Sequence, residues 1–551
     1  MAEKLPMADT INKTLLKIDK LDVRFHVKQR DIHAVKQISF SIEKGQSIGI
    51  VGESGSGKSV TSLSLLDLFR KNESVHRNGA VELAIGDQLF ILNEISDEVL
   101  NGIRGRQIGL VLQEPGSTLN PARKCGRQIE EVLRIHKIGD QSKKKEIVLE
   151  ALGKVALSDT DRIYNSYPHE LSGGELQRVC IAMAIICNPL LLICDEVTSS
   201  LDVTIQKEII DLLKELRQHL NLTLLFISHD LDVVKELCDH VLIMKDGKII
   251  ERGKTLTIFS NPQQTYTQEL LDNKPSLSQN MVNSSVEISD DKILIINDLG
   301  HRYRTKRKSI LRSVEYDTVL HAISFSLRKS EILGIVGESG SGKTTIAKAI
   351  VGMIKPTKGE INYYTADHKL VRLGIKPRRD IQLIFQDPYS ALNPSMFIGK
   401  SLYELISFHG LYSKSEIDNR ISILLNQVGL SNDYYDRLPQ ALSGGQRQRV
   451  CIAKALALEP RILICDECVS ALDVTVQAQI LELLLKIRDE LDLSLLFISH
   501  DLAVINIICD RVIVISSGEI VESGSPQDII HNPQNTYTKE LIQSIPGFQA
   551  N

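Results

Sequence analysis

The chain has 551 residues, no tryptophan, nine cysteines and a formal net charge of −4. That balance excludes the global basic field of a non-specific nucleic-acid binder, and no stretch approaches the ~20 consecutive apolar residues of a membrane-spanning helix. The opening residues, Met1-Ala2-Glu3-Lys4-Leu5-Pro6, lack the apolar run of a secretion signal, so a cytosolic chain is expected.

In chain order, the first clear element is the apolar run Ser47-Ile48-Gly49-Ile50-Val51, a buried strand leading into Gly52-Glu53-Ser54-Gly55-Ser56-Gly57-Lys58-Ser59. A helix is expected to start near Lys58. The stretch 114–170 is mostly helical in pattern and reads as a subdomain inserted into the core. A second apolar run, Leu190 to Cys194, ends at Asp195-Glu196, and a third, Thr223 to Ile227, ends at Ser228-His229. Short apolar runs alternating with longer helical stretches predict a parallel sheet covered on both faces. All three runs carry polar residues at the carboxyl end, where α/β sheets bind ligands.

The same set then recurs. Gly337-Glu338-Ser339-Gly340-Ser341-Gly342-Lys343-Thr344 repeats the Gly-rich loop, and Asp466-Glu467 and His500 repeat the two strand ends. Leu171-Ser172-Gly173-Gly174-Glu175 is matched by Leu442-Ser443-Gly444-Gly445-Gln446, and from there on the offset is a constant 271 residues. A period this long means two copies of one domain, not a solenoid. The expected boundaries are 15–272 and 292–543, joined by a polar linker over 273–291 that tethers the copies at high local concentration. A second helical insertion is expected over 387–441. The copies differ between loop and glutamine: Lys58 to Gln113 spans 55 residues and Lys343 to Gln386 spans 43, the extra residues being expected in surface strands or a loop. Six cysteines recur in register (Cys180, Cys194 and Cys238 with Cys451, Cys465 and Cys509), as small core residues would. Cys465 and Cys468 form a nominal C-x-x-C, but it straddles an acidic motif and has no counterpart in the first copy, where Val197 stands.

The chemistry follows from residue types. The loop G-x-x-x-x-G-K-[ST] lets backbone amides close around phosphates at a helix N-terminus. Lys58 and Lys343 would reach the β/γ-phosphates, and Ser59 and Thr344 would hold Mg²⁺. Asp195 and Asp466 would supply the second Mg²⁺ contact, and Glu196 and Glu467 would polarise the attacking water.

Together these segments resemble the ATP-binding cassette (ABC) ATPases over nearly the whole chain, above all in Leu-Ser-Gly-Gly at 171–174 and 442–445. The resemblance implies an α/β fold: two tandem P-loop domains, each a RecA-like, mainly parallel core with an inserted helical subdomain. It makes Gln113 and Gln386 the Q-loop residues that sense Mg²⁺, Ser200-Leu201-Asp202 and Ala471-Leu472-Asp473 the D-loops, and His229 and His500 the switch histidines. It also implies composite ATP sites: Lys58, Gln113, Glu196 and His229 with Ser443-Gly444-Gly445, and Lys343, Gln386, Glu467 and His500 with Ser172-Gly173-Gly174. Phe25 and Tyr303 are candidates for the aromatic that stacks on adenine. Three features depart from the family: Val197 and Cys468 replace a usual Pro, Cys194 and Cys465 a usual Ala, and Glu175 a usual Gln. Ser172-x-x-Glu175 and Ser443-x-x-Gln446 fit helix capping boxes. The Glu175 charge is a candidate for weakening the Lys343 site.

Gln113-Glu114-Pro115 to Pro121, Gln386-Asp387-Pro388 to Pro394, and the segments 261–267 and 532–538 resemble the dipeptide/oligopeptide/nickel importer ATPases. In the last two, Gln-Thr and Asn-Thr replace the subfamily's His-Pro. The fused arrangement is similar to double-cassette ATPases of glutathione and microcin C-type peptide importers. This implies ATP-driven import of peptides or peptide-like solutes from the cytoplasmic face of the inner membrane. The partners would be two transmembrane permease subunits and, through them, an extracytoplasmic solute-binding protein. No nucleic acid is expected as a partner, and no iron–sulfur cluster, because no cysteine follows Tyr266 before the linker or Tyr537 before the end of the sequence. The alternatives are an exporter ATPase or a soluble tandem ABC protein acting on ribosomes or DNA. The basic run 302–308 is read as a solvated loop, with contact to headgroups or permease as the other reading.

Overall fold

Each half of the chain builds one six-stranded and one four-stranded sheet. The computed structural model describes residues 13–27, 30–69, 74–113, 115–198, 201–272, 290–304, 316–365, 367–374, 379–470 and 472–545. Most of the expected linker, the D-loop positions Ser200 and Ala471, and 305–308 of the basic run lie outside them. The described residues divide into two compact units near residue 273.

In the first unit the strand order is Lys248–Lys254, His240–Lys245, Ser47–Val51, Thr223–Ile227, Leu191–Asp195, Ile108–Val111. All neighbours are parallel except the first pair. The three strands read from the sequence form, the second one residue later than expected because exposed Leu190 lies outside it, and every position of the observed strands is buried, which explains their apolar character. The second unit repeats the order with Glu519–Gly524, Arg511–Ser516, Ile332–Val336, Ser494–Ile498, Ile462–Asp466 and Ile381–Ile384.

The expectation of a mainly parallel core omits a second, antiparallel sheet. Arg30–Glu43, Thr14–Val27, Ser74–Ile85 and Gln88–Ile91 form it in the first unit, and Tyr316–Arg328, Lys292–Arg304, Lys358–Tyr364 and Leu370–Arg372 in the second. Apolar residues of both sheets, such as Leu16, Ile18, Val81, Ile50 and Ile193, share one core cluster. The opposite face of the parallel sheet joins the helical layer in another core, through Leu192, Leu224, Ile129, Leu133 and Ile181.

The helical insertions are Cys125–Ile135, Lys144–Lys154 and Thr160–Asn165 in the first unit, and Ile398–His409 with Ile417–Gln427 in the second. The first copy's extra residues include a helix, Asp97–Ile103, capped by Ser96. Among the described residues the second unit has no counterpart. The six recurrent cysteines are all buried.

Candidate functional site

In both units the Gly-rich loop leaves a buried strand and turns directly into a helix, Lys58–Leu65 or Lys343–Ile350. The turn depends on Gly57 at φ 101° and Gly342 at φ 105°. A β-carbon on Gly57 would stand 2.5 Å from the Ala34 carbonyl oxygen. Gly52 and Gly337 are buried at the base of each loop, while Ser54, Gly55, Ser339 and Gly340 form an exposed crest. First-turn amides have no partner within their helix and suit an anion.

Each loop lysine bends back over its own loop. Lys58 Nζ donates to the carbonyls of Gly52 at 2.6 Å and Glu53 at 2.9 Å. Lys343 Nζ donates to Gly337 at 2.6 Å and Glu338 at 2.8 Å. Burial lowers the Lys343 pKa, opposed in part by the Glu467 carboxylate.

The hydroxyl beside each lysine reaches the strand-end aspartate. Ser59 Oγ donates to Asp195 Oδ1 at 3.0 Å, and Thr344 Oγ1 to Asp466 Oδ1 at 3.2 Å. Ser62 Oγ, one helical turn on, donates to Asp195 Oδ2 at 3.0 Å. Ser62 was not foreseen; its i,i+3 spacing from Ser59 was the available signal. Burial raises the pKa of both aspartates, and these hydroxyls oppose it.

The next residue closes the constellation. Glu196 and Glu467 have φ of 49° and 48°, a left-handed conformation that costs a non-glycine residue about 1–3 kcal/mol and often marks function. Gln113 Nε2 donates to Glu196 Oε2 at 2.8 Å, and Gln386 Nε2 to Glu467 Oε2 at 2.7 Å. His229 Nδ1 and His500 Nδ1 lie 3.5 Å from the same carboxylates. Burial would raise both glutamate pKa values, but the histidine bond and charge and the loop lysine outweigh it, leaving them below the ordinary range. Burial likewise pushes the histidines down, and the glutamate bond and charge more than offset it.

The Leu-Ser-Gly-Gly segments open the helices Gly173–Ile185 and Gly444–Leu456, and both capping boxes form. Glu175 Oε2 accepts from Ser172 N at 2.9 Å, and Gln446 Oε1 from Ser443 N at 3.1 Å. The glycines permit close packing. A β-carbon on Gly174 would lie 2.8 Å from Ile205, and one on Gly445 2.3 Å from Val476. Glu175 is also paired with Arg162, a partner not foreseen, which offsets its charge locally.

Tyr303 stands 41 % exposed beside the second loop helix, its hydroxyl 3.5 Å from Thr345 Oγ1. Phe25 holds the equivalent strand position but is half-buried, edge-on to Phe69 at 5.5 Å. Tyr303 is therefore the better-placed stacking surface.

A Gly-rich loop at a helix N-terminus, a hydroxyl–aspartate pair and a glutamate held by an amide and an imidazole define a P-loop nucleotide hydrolase, here in two copies. The chain belongs to the ABC transporter family, whose model matches residues 35–199 and 320–470. It is an ATP-binding-cassette ATPase. The model for the oligopeptide/dipeptide transporter C-terminal region matches 250–303 and 521–551. The glutathione import ATP-binding protein GsiA of Pectobacterium atrosepticum is 38% identical over 571 residues, covering 99% of this chain and 92% of that protein. GsiA of Salmonella choleraesuis is 38% identical (98% of this chain, 91% of that protein), and GsiA of Escherichia coli O6:H1 is 37% identical with the same coverage. Among solved structures, the dimeric ATP-binding cassette MJ0796 bound to ADP and Pi is 28% identical, covering 44% of this chain and 99% of that one, with a TM-score of 0.39.

Proposed function

We propose that this chain is the ATP-hydrolysing, energy-coupling subunit of an importer for peptides or peptide-like solutes. It would work on the cytoplasmic face of the inner membrane with two transmembrane permease subunits and, through them, an extracytoplasmic solute-binding protein. The observation that carries this reading is the near-full-length similarity to glutathione import ATP-binding proteins. No helix among the described residues is long and apolar enough to cross a membrane. We assign the cassettes to 15–272 and 292–543.

The site residues take these roles. Loop amides and Lys58 or Lys343 bind the phosphates; the lysine exchanges its carbonyl partners for phosphate oxygens. Glu196 and Glu467, held as carboxylates beside a histidine and the loop lysine, orient the attacking water and accept its proton. His229 and His500 hold that carboxylate, and Gln113 and Gln386 donate to it as well. Ser172-Gly173-Gly174 and Ser443-Gly444-Gly445 offer helix N-termini as further phosphate contacts. The Ser59–Asp195 and Thr344–Asp466 pairs are hard oxygen donors that fit Mg²⁺, with Gln113 and Gln386 as further ligands. The ion would neutralise phosphate charge.

Affinity purification of the full chain from membranes tests the transport role. Recovery of two polytopic membrane proteins, and a nucleotide turnover that they stimulate, is the expected result. Recovery of ribosomes or DNA with no membrane protein contradicts it.

A further inference from the structure

Each C-terminal segment ends in a short helix, Thr265–Asp272 or Thr536–Gln543, whose second residue is a tyrosine. Both tyrosines reach the Gly-rich loop of their own unit. The Glu53 amide donates to the Tyr266 hydroxyl oxygen at 3.3 Å, and the Glu338 amide to that of Tyr537 at 2.9 Å. The bonded amide is in each case the one directly after the loop's first glycine, and its own carbonyl carries the loop lysine. The lysine also donates to the carbonyl of that first glycine, so the Gly52–Glu53 peptide, like Gly337–Glu338, is bound at its N–H by the tyrosine and at its carbonyl by the phosphate-binding ammonium.

The tyrosines are not casual contacts. Glu251 accepts the amides of Gln263 and Gln264 at 2.8 and 3.3 Å, and Glu522 those of Gln534 and Asn535 at 2.8 and 3.2 Å. These carboxylates fix the turn just before each helix. Tyr266 is 8% exposed, with Lys245 Nζ over its ring at 4.2 Å. At the position of that lysine the second unit has Ser516.

We propose that Tyr266 and Tyr537 are positioning residues for nucleotide binding: each C-terminal segment clamps the first peptide of its Gly-rich loop in the phosphate-receiving shape. The proposal rests on the loops being the nucleotide sites. A lost clamp leaves the chemistry intact but lets the loop sample shapes that do not bind, so the effect falls on affinity. The shorter Tyr537 bond makes the second site the more dependent.

The test uses the full chain and Tyr537→Phe, which keeps the ring and removes the acceptor. Amide exchange is followed across 337–342, with ATPase kinetics in parallel. The expected result is faster exchange confined to that loop and a KM for ATP raised about three- to tenfold, as loss of one hydrogen bond implies. kcat and Tm stay near wild type. Tyr266→Phe shows the same pattern, more weakly, over 52–57. Unchanged loop exchange and KM overturn the proposal, as does a parallel fall in kcat and Tm, which marks a merely structural anchor. MgADP that fails to protect either loop in the unmutated chain sinks the nucleotide-site reading itself, and this proposal with it.

Discussion

In the first unit Asp195 is held by two hydroxyls, Ser59 and Ser62; in the second Asp466 is held by Thr344 alone among the described residues, because Ala347 stands where Ser62 would. There the Lys348 charge helps to hold the carboxylate ionised, where the first unit has Leu63. The signature helices differ in the same manner. Glu175 is neutralised by Arg162, whereas neutral Gln446 has no such need, and Asp433 at the Arg162 position pairs with Arg437. The Gln–Glu–His constellation, by contrast, keeps its distances to within 0.1 Å in both units, although Gln113 and His229 share Glu196 Oε2 while Gln386 meets Glu467 Oε2 and His500 meets Oε1. Drift is tolerated where one balanced charge arrangement can replace another, and not where a carboxylate must be aimed.

The largest expected effects test the shared part. Lys58→Ala and Lys343→Ala each remove an ammonium bound for phosphate, and each should weaken nucleotide binding at its own site by about 10- to 100-fold, the worth of a charge-assisted hydrogen bond. Equilibrium binding resolves this; a wild-type isotherm for either variant would break the equivalence of the two loops. Next comes the unshared aspartate support. Ser62→Ala should cost about 1 kcal/mol or somewhat more in thermal unfolding, because it leaves a buried carboxylate oxygen short of a donor. Ala347→Ser should be near neutral or stabilising.

The smallest effect concerns the signature. The folded pKa of Glu175 lies below the ordinary carboxylate value: burial opposes this, but the Ser172 and Arg162 bonds prevail. Its stabilisation is therefore complete above about pH 4.3 and fades as pH falls through the folded value. Glu175→Gln should cost no more than about 1 kcal/mol at pH 7, since the Arg162 pair is partly exposed. The difference from wild type should vanish toward pH 3. A pH-independent difference would show that the capping geometry matters and the charge does not.

The loops, strand ends and signature segments were legible because each pairs a local pattern with a short-range geometric demand. A buried strand must be apolar, and a left-handed turn must be glycine. The antiparallel sheets were not legible. Their long strands carry repeated register shifts, as between Ile18 and Leu21 and between Ile296 and Leu299, and these interrupt the period-2 alternation that marks a strand. The extra residues of the first copy were visible as a length difference, but their short helix was expected as strand or loop. That Gln113, Glu196 and His229 converge was implied only by family resemblance. The Tyr266 and Tyr537 contacts join residues 213 and 199 positions apart, a separation at which no local pattern operates.

Two hydrolytic units, one in each half of the chain, are what the proposed roles of Glu196 and Glu467 require. Single-turnover and steady-state ATPase assays of Glu196→Gln and Glu467→Gln, each in the full chain, test this requirement most directly. Either substitution alone should remove most of the turnover while nucleotide binding persists at both sites. A silent Glu467→Gln, or a silent Glu196→Gln, would contradict it.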